Sequence, residues 1–154
     1  MEIWFYHLTR EPLESALPKL LERSLQRGWR AVVQARDEER LAAIDNLLWT
    51  WSDESFLAHG VARDGDAAMQ PIFLTTGEET PNGARVRFLV GGADIAPAFE
   101  APGGAGYERF ILMFDGADPE ALQAARAQWK LLKEQGRALS YWQQGDSGGW
   151  EKKA

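Results

Sequence analysis

The spacing of apolar residues changes repeatedly within the first 50 residues, and this alternation constrains the fold more than any other feature. Residues 3–8 (IWFYHL) have strand character, and residues 13–25 carry leucines at helical spacing. Residues 29–34 (WRAVVQ) are typical of a buried strand, and Asp37 then opens a second amphipathic stretch. Strands that alternate with helices in this way pair in parallel, so we predict an α/β sheet covered on both faces.

The rest of the chain is less regular and predicts a mixed sheet. Further strands are predicted at residues 71–75, 85–90 and 107–114. Between the first two, the turn sequence at residues 81–83 (PNG) favours a short reversal of the chain. Asp118 with Pro119 opens a last helix that Gly136 ends, and residues 138–142 are expected to add a short edge strand.

The length of 154 residues suits one domain with a single core. We place that domain at residues 1–142. Residues 143–154 are polar and rich in glycine, and we predict a flexible C-terminal tail there.

Several kinds of catalytic and metal site are disfavoured. The chain has no cysteine, which excludes thiolate zinc sites and cysteine nucleophiles, and His7 and His59 lack metal-ligand spacing. Gly103, Gly104 and Gly106 precede a predicted strand, whereas a phosphate-binding glycine loop follows a strand and opens a helix. We therefore expect no metal, no cofactor and no catalytic residue.

The net negative charge of the chain disfavours some classes of partner. The formal net charge is −6 and the isoelectric point is near 5.0, so the overall field repels a polyanion, although local basic strips can override it. No apolar run approaches the length of a membrane span, and the N-terminus lacks the features of a signal peptide. We expect a soluble, cytoplasmic protein that does not bind membranes.

The last helix combines an aromatic residue with a basic strip. Its predicted core-facing residues are Ala121, Ala124, Ala125, Leu131 and Leu132. Beside them lie Trp129, Arg126, Lys130 and Lys133, which together offer an apolar slot and donors for carboxylates. The alternative is a tryptophan at the edge of the core with neighbours that only keep the helix soluble.

A second aromatic cluster follows the second helix. It contains Trp49, Trp51, Phe56 and Leu57. These side chains either bury in the core or form an exposed patch for a partner, since tryptophan is common at the centres of interfaces. The sequence pattern is compatible with both.

Four segments together resemble the chi subunit of bacterial DNA polymerase III. They are FYHL, IDNLLWTWSDESFLAHG, PNGARVRFLVGG and FDGADPEALQAARAQWKLLKEQGRALSYWQQ. The resemblance extends to about Gln144. It implies a Rossmann-like three-layer fold with a mostly parallel, mixed central sheet, in a non-catalytic accessory subunit of the clamp-loader complex.

The resemblance also implies two partner sites and only indirect contact with DNA. Arg126, Trp129, Lys130 and Gly136 match positions that bind the acidic, phenylalanine-ended C-terminal tail of single-stranded DNA-binding protein, and Lys133 extends their basic strip. Trp49 and Phe56 match positions that face the psi subunit. The sequence departs from the family pattern in having Trp129 where tyrosine is usual, and Leu122 where a cation is expected.

Two other functions are compatible with the residues. A small α/β nucleotide-binding protein or enzyme would use the carboxyl ends of the parallel strands and the loop at residues 91–106. Direct binding of single-stranded nucleic acid through aromatic and basic side chains would show a steep dependence on salt.

Overall fold

The computed structural model describes residues 1–51, 57–95, 97–98, 106–146 and 149–154. The described strands are β1 (Glu2–Leu8), β2 (Ala31–Gln34), β3 (His59–Gly60), β4 (Ile72–Thr75), β5 (Val86–Leu89), β6 (Arg109–Asp115), β7 (Leu139–Gln144) and β8 (Trp150–Lys152). The helices are α1 (Leu13–Gln26), α2 (Glu38–Thr50) and α3 (Pro119–Glu134), and short 3₁₀ turns span Ala62–Asp64 and Ala67–Met69.

All eight strands form one sheet in the order β3-β4-β2-β5-β6-β1-β7-β8. Every pair is parallel except β7 with β8, which is antiparallel. One face packs against α1 and α2, and the other face packs against α3. The prediction of an α/β fold with a mostly parallel, mixed sheet between helical layers is confirmed.

The helices begin and end where the sequence predicts. Asp37 and Asp118 accept hydrogen bonds from the main-chain N–H groups of Arg40 and Glu120, and these bonds satisfy donors that the first turn of a helix leaves free. Gly28, with φ of +82°, follows the end of α1. None of the helices in the described ranges is long and apolar enough to cross a membrane.

Residues 81–82 form a turn, as the sequence predicts, but the expectation that the chain reverses there between two neighbouring strands is wrong. Both β4 and β5 pair in parallel with β2, on its two sides, so the chain crosses over β2 instead of turning back on itself. The Asn82 side chain is buried, and its Nδ2 donates to the carbonyl oxygens of Ala31 (3.1 Å) and Gln70 (2.9 Å). Asn82 therefore ties the crossover to β2, a role that its turn propensity did not reveal.

The C-terminal strands also differ from the expectation. β7 is not an edge strand, because β1 lies on one side of it and β8 on the other. Trp150 of β8 stacks on Tyr6 with ring centroids 4.4 Å apart. The sheet therefore extends beyond residue 142, where the sequence suggested that the domain ends.

Candidate functional site

Trp129 belongs to α3 and lies at the edge of the core, between the helix and the sheet. Ala125 and Leu132, one turn before and after it, are buried, whereas Trp129 is half-buried. Its indole meets the rings of Phe5 and Tyr141 almost perpendicularly, with centroid distances of 5.2 and 5.7 Å. Edge-to-face contacts of this kind stabilise the position of an aromatic ring beyond its area of burial. The indole is thus fixed at the sheet surface without being enclosed.

Three exposed cations lie to one side of Trp129 on the helix surface. Arg126, Lys130 and Lys133 are all exposed. At 100° per residue, these three positions and Trp129 occupy an arc of about 100° on the helix. The helix ends one turn later, where Gly136 adopts a φ of +75° and its N–H donates to the carbonyl of Lys133. Gly136 therefore ends α3 beside the basic strip.

Tyr141 and His7 extend this surface onto the sheet. The Tyr141 hydroxyl and His7 Nδ1 are 2.8 Å apart, and both side chains are half-buried. Gly116 leaves room for the imidazole, since a Cβ at this position would overlap His7 Nε2. Sequence reasoning missed both residues, because only the pairing of β7 with β1 brings them next to α3.

The charge of Arg126 reaches both residues. Burial lowers the pKa of His7, the positive charge of Arg126 lowers it further, and Asp115 acts in the opposite direction. Burial raises the pKa of Tyr141, against the opposing effect of Arg126. Trp129 contacts Tyr141, Tyr141 contacts His7, and Arg126 lies one helical turn before Trp129. We call these four residues, with Lys130 and Lys133, the α3 surface.

This arrangement predicts that Arg126→Ala raises the pKa of His7. Removing a nearby positive charge makes the imidazolium less unfavourable, so the imidazole binds its proton at higher pH. Proton NMR titration of the His7 ring measures the shift. Lys133→Ala on the same helix serves as the control and is expected to leave the pKa of His7 unchanged. An unchanged titration in Arg126→Ala would show that the guanidinium does not face His7.

Leu122 is half-buried and packs against the core on the α3 side of the sheet. The family resemblance led us to expect a cation at this position, one turn before Arg126. The α3 surface consequently has its positive charge concentrated toward the C-terminal half of the helix.

The second aromatic cluster is divided between core and surface. Leu57 is buried, and Trp51 is half-buried with its Nε1 donating to Glu22 Oε1 at 3.0 Å. Trp49 is 58% exposed, and its indole lies 4.7 Å from the imidazole of the buried His59. Phe56 lies outside the described residues. Trp49 is therefore exposed at the surface near the end of α2.

A cleft of about 900 Å³ opens at the carboxyl ends of the central strands, where an α/β protein would hold a nucleotide. Its lining includes Arg10, Arg36 and Arg40, but also Glu11, Glu78, Asp94, Asp115, Asp118 and Glu120. This excess of carboxylates disfavours a phosphate group.

Gly103 and Gly104 lie outside the described residues. No group of three metal-ligating side chains occurs within the part of the chain that the structure describes.

Comparison with known proteins gives a consistent result. The family model described as "DNA polymerase III chi subunit, HolC" matches residues 1–140. A probable DNA polymerase III subunit chi from Rickettsia prowazekii is 31% identical over 91 residues, which cover 59% of this chain and 55% of that protein. DNA polymerase III subunit chi from Pseudomonas aeruginosa is 27% identical over 121 residues, 79% of each chain. The chain therefore belongs to the DNA polymerase III chi subunit family, a family of accessory subunits of that polymerase.

Proposed function

We propose that this chain is a non-catalytic adaptor that links the clamp-loader complex to single-stranded DNA-binding protein. In this proposal, the α3 surface captures the acidic, phenylalanine-ended C-terminal tail of that protein. The observation that carries the proposal is the position of Trp129, half-buried against Phe5 and Tyr141 with exposed cations beside it. An apolar ring can pack against the indole while carboxylates pair with Arg126 and Lys130.

Capture of a peptide tail is compatible with the net charge of −6. A protein that reaches single-stranded DNA through its coating protein does not need to contact phosphate at this surface. The charge pairs would be exposed, so salt should weaken the complex. Binding of extended acidic peptides by clusters of basic residues is a common mode of peptide recognition.

The second partner surface in this proposal is the end of α2. Trp49, with Phe56, would contact the psi subunit or an equivalent component of the clamp loader. α2 packs on the face of the sheet opposite to α3. An adaptor with its two partner surfaces on opposite faces of the sheet can hold both partners at once, which supports a linking role.

The test is calorimetric titration of the full chain with a peptide of the tail, beside the same peptide without its last phenylalanine. Loss of the phenyl ring removes the burial of one large apolar side chain, and we expect about tenfold or greater weakening. Trp129→Ala should weaken the complete peptide similarly. Trp49→Ala is the matched control and should bind normally. Equal affinity for both peptides, or normal binding by Trp129→Ala, would contradict the proposed site.

A further inference from the structure

Five of the seven tryptophans pack on the sheet face opposite to α3, and four of them are linked to one another through ring and guanidinium contacts. Trp4, Trp29, Trp142 and Trp150 are all half-buried and pack against the core cluster that includes α1. The rings of Trp4 and Trp142 lie 5.0 Å apart, and Trp150 covers Tyr6. We call these four residues the tryptophan surface. Each of its rings keeps part of its surface in contact with solvent, and none of them belongs to either proposed partner site.

Guanidinium groups lie on these indoles. Arg109 is centred 3.5 Å from the Trp4 ring and 5.4 Å from the Trp29 ring. The guanidinium of Arg27 also lies over the Trp29 ring, 5.1 Å from its centroid. Lys152 is directly across the β7–β8 ladder from Trp142, so both project from the same face of the sheet. Basic side chains therefore lie among the rings of this surface.

The positive charge here is only partly balanced. Burial lowers the pKa of Arg109, and the charge of Arg27 lowers it further, while Glu2 acts against both. Glu2 is 3.9 Å from Arg109 and accepts a hydrogen bond from Trp4 Nε1. Among the described residues, no carboxylate forms an ion pair with Arg23 or Arg27, and the charges of both reach the Tyr6 phenol. The buried Nε of Arg109 has no hydrogen-bond partner within the described chain.

We propose that the tryptophan surface binds single-stranded nucleic acid directly. Bases stack on the indoles while phosphates pair with Arg23, Arg27, Arg109 and Lys152. Aromatic and basic side chains together on an open surface are the usual means of holding a single strand without reading its sequence. Duplexes hide their bases in the stack, and an acidic peptide offers no series of flat rings, so a single strand fits the surface best. This contact is additional to tail capture and lies on the other face of the sheet.

Fluorescence anisotropy of a labelled oligothymidylate of about 20 nucleotides tests the proposal with the full chain. Three to four phosphate contacts predict a slope of log K against log salt of about −2 to −3. An oligouridylate of equal length should bind similarly, because the proposed contacts involve no sugar hydroxyl.

Two matched variants separate this surface from the α3 surface. Arg23→Glu with Arg27→Glu should weaken oligonucleotide binding by more than about tenfold and reduce the slope to about −1. Arg126→Glu with Lys130→Glu changes the formal net charge by the same amount, two units at each of two positions, and should bind the oligonucleotide nearly normally. The expected pattern reverses when the tail peptide is the ligand, so failure of either proposal can be recognised separately.

Two single substitutions probe the stacking and the charge. Trp142→Leu should weaken binding by about fivefold or more, the usual effect of losing one stacked base. Glu2→Gln retains an acceptor for Trp4 Nε1 and removes the opposing charge, so it should strengthen binding. The proposal is overturned if the wild type fails to bind at low salt, if both double variants lose binding equally, or if a duplex of the same length binds as tightly.

Discussion

The double variant Arg126→Glu with Lys130→Glu is expected to bind the acidic tail peptide more than about a hundredfold more weakly than the wild type. Hydrogen bonds to charged groups contribute about 1.5–3 kcal/mol each, and the introduced carboxylates repel those of the peptide. Both residues are exposed, so the free energy of unfolding should change by no more than about 0.5 kcal/mol. Calorimetric titration and urea unfolding measure the two effects.

The control for this prediction is Arg23→Glu with Arg27→Glu. It alters the net charge equally on the opposite face of the sheet, where screening should limit its effect on tail binding to about threefold. A similar loss in both variants would mean that the peptide responds to the overall charge of the protein. Retained binding in Arg126→Glu with Lys130→Glu would remove the α3 surface as the tail site.

The second large effect is expected from Arg87→Met, which should destabilise the domain by about 2–4 kcal/mol. The Arg87 side chain is completely buried in β5. Its guanidinium donates to Gln34 Oε1 (2.9 Å), the Tyr107 hydroxyl (3.1 Å) and the carbonyl oxygens of Gly77 (2.6 Å) and Glu79 (3.2 Å). Methionine fills much of the space but donates no hydrogen bond, so all four acceptors lose this partner.

The desolvation of the guanidinium opposes this effect, since methionine avoids the cost of burying a charge. We expect the loss of donors to outweigh it, because Arg87 also holds the crossover after β4 against β2 through Gly77 and Gln34. Arg85→Met is the control. Arg85 pairs with Glu108 at 3.5 Å with both side chains 56% exposed, and such pairs contribute little. Equal urea midpoints for the two variants would contradict the structural role of Arg87.

The sequence predicted most elements because each depends on local spacing and on capping residues. The period of apolar residues located α1, α2 and α3, and Asp37 and Asp118 located two helix starts. The direction of β5 could not be inferred from residues 81–83, because the Asn82 side chain acts on β2, about 50 residues earlier in the chain. The two- and three-residue strands β3 and β8 exist only through pairing and leave no pattern in the sequence.

The candidate sites were predictable to different extents. Arg126 and Trp129 share one helix, so helical spacing alone placed them together. Tyr141 and His7 are separated by 134 positions in the chain, and Trp4 is even further from Trp142. Their proximity follows from the parallel pairing of β1 with β7, which a single sequence does not specify. The tryptophan surface therefore emerged only from the arrangement of the sheet.

The short strands at the two ends of the sheet affect how copies of this protein behave toward one another. β3 contributes only two residues to its ladder, and β8 contributes three, followed by Lys153 paired with Glu151. Long, flat edges with free main-chain groups recruit strands from other molecules, and short, charged ones resist this. The central strands, whose apolar sequences would be prone to aggregate, are thereby shielded from self-association at high concentration.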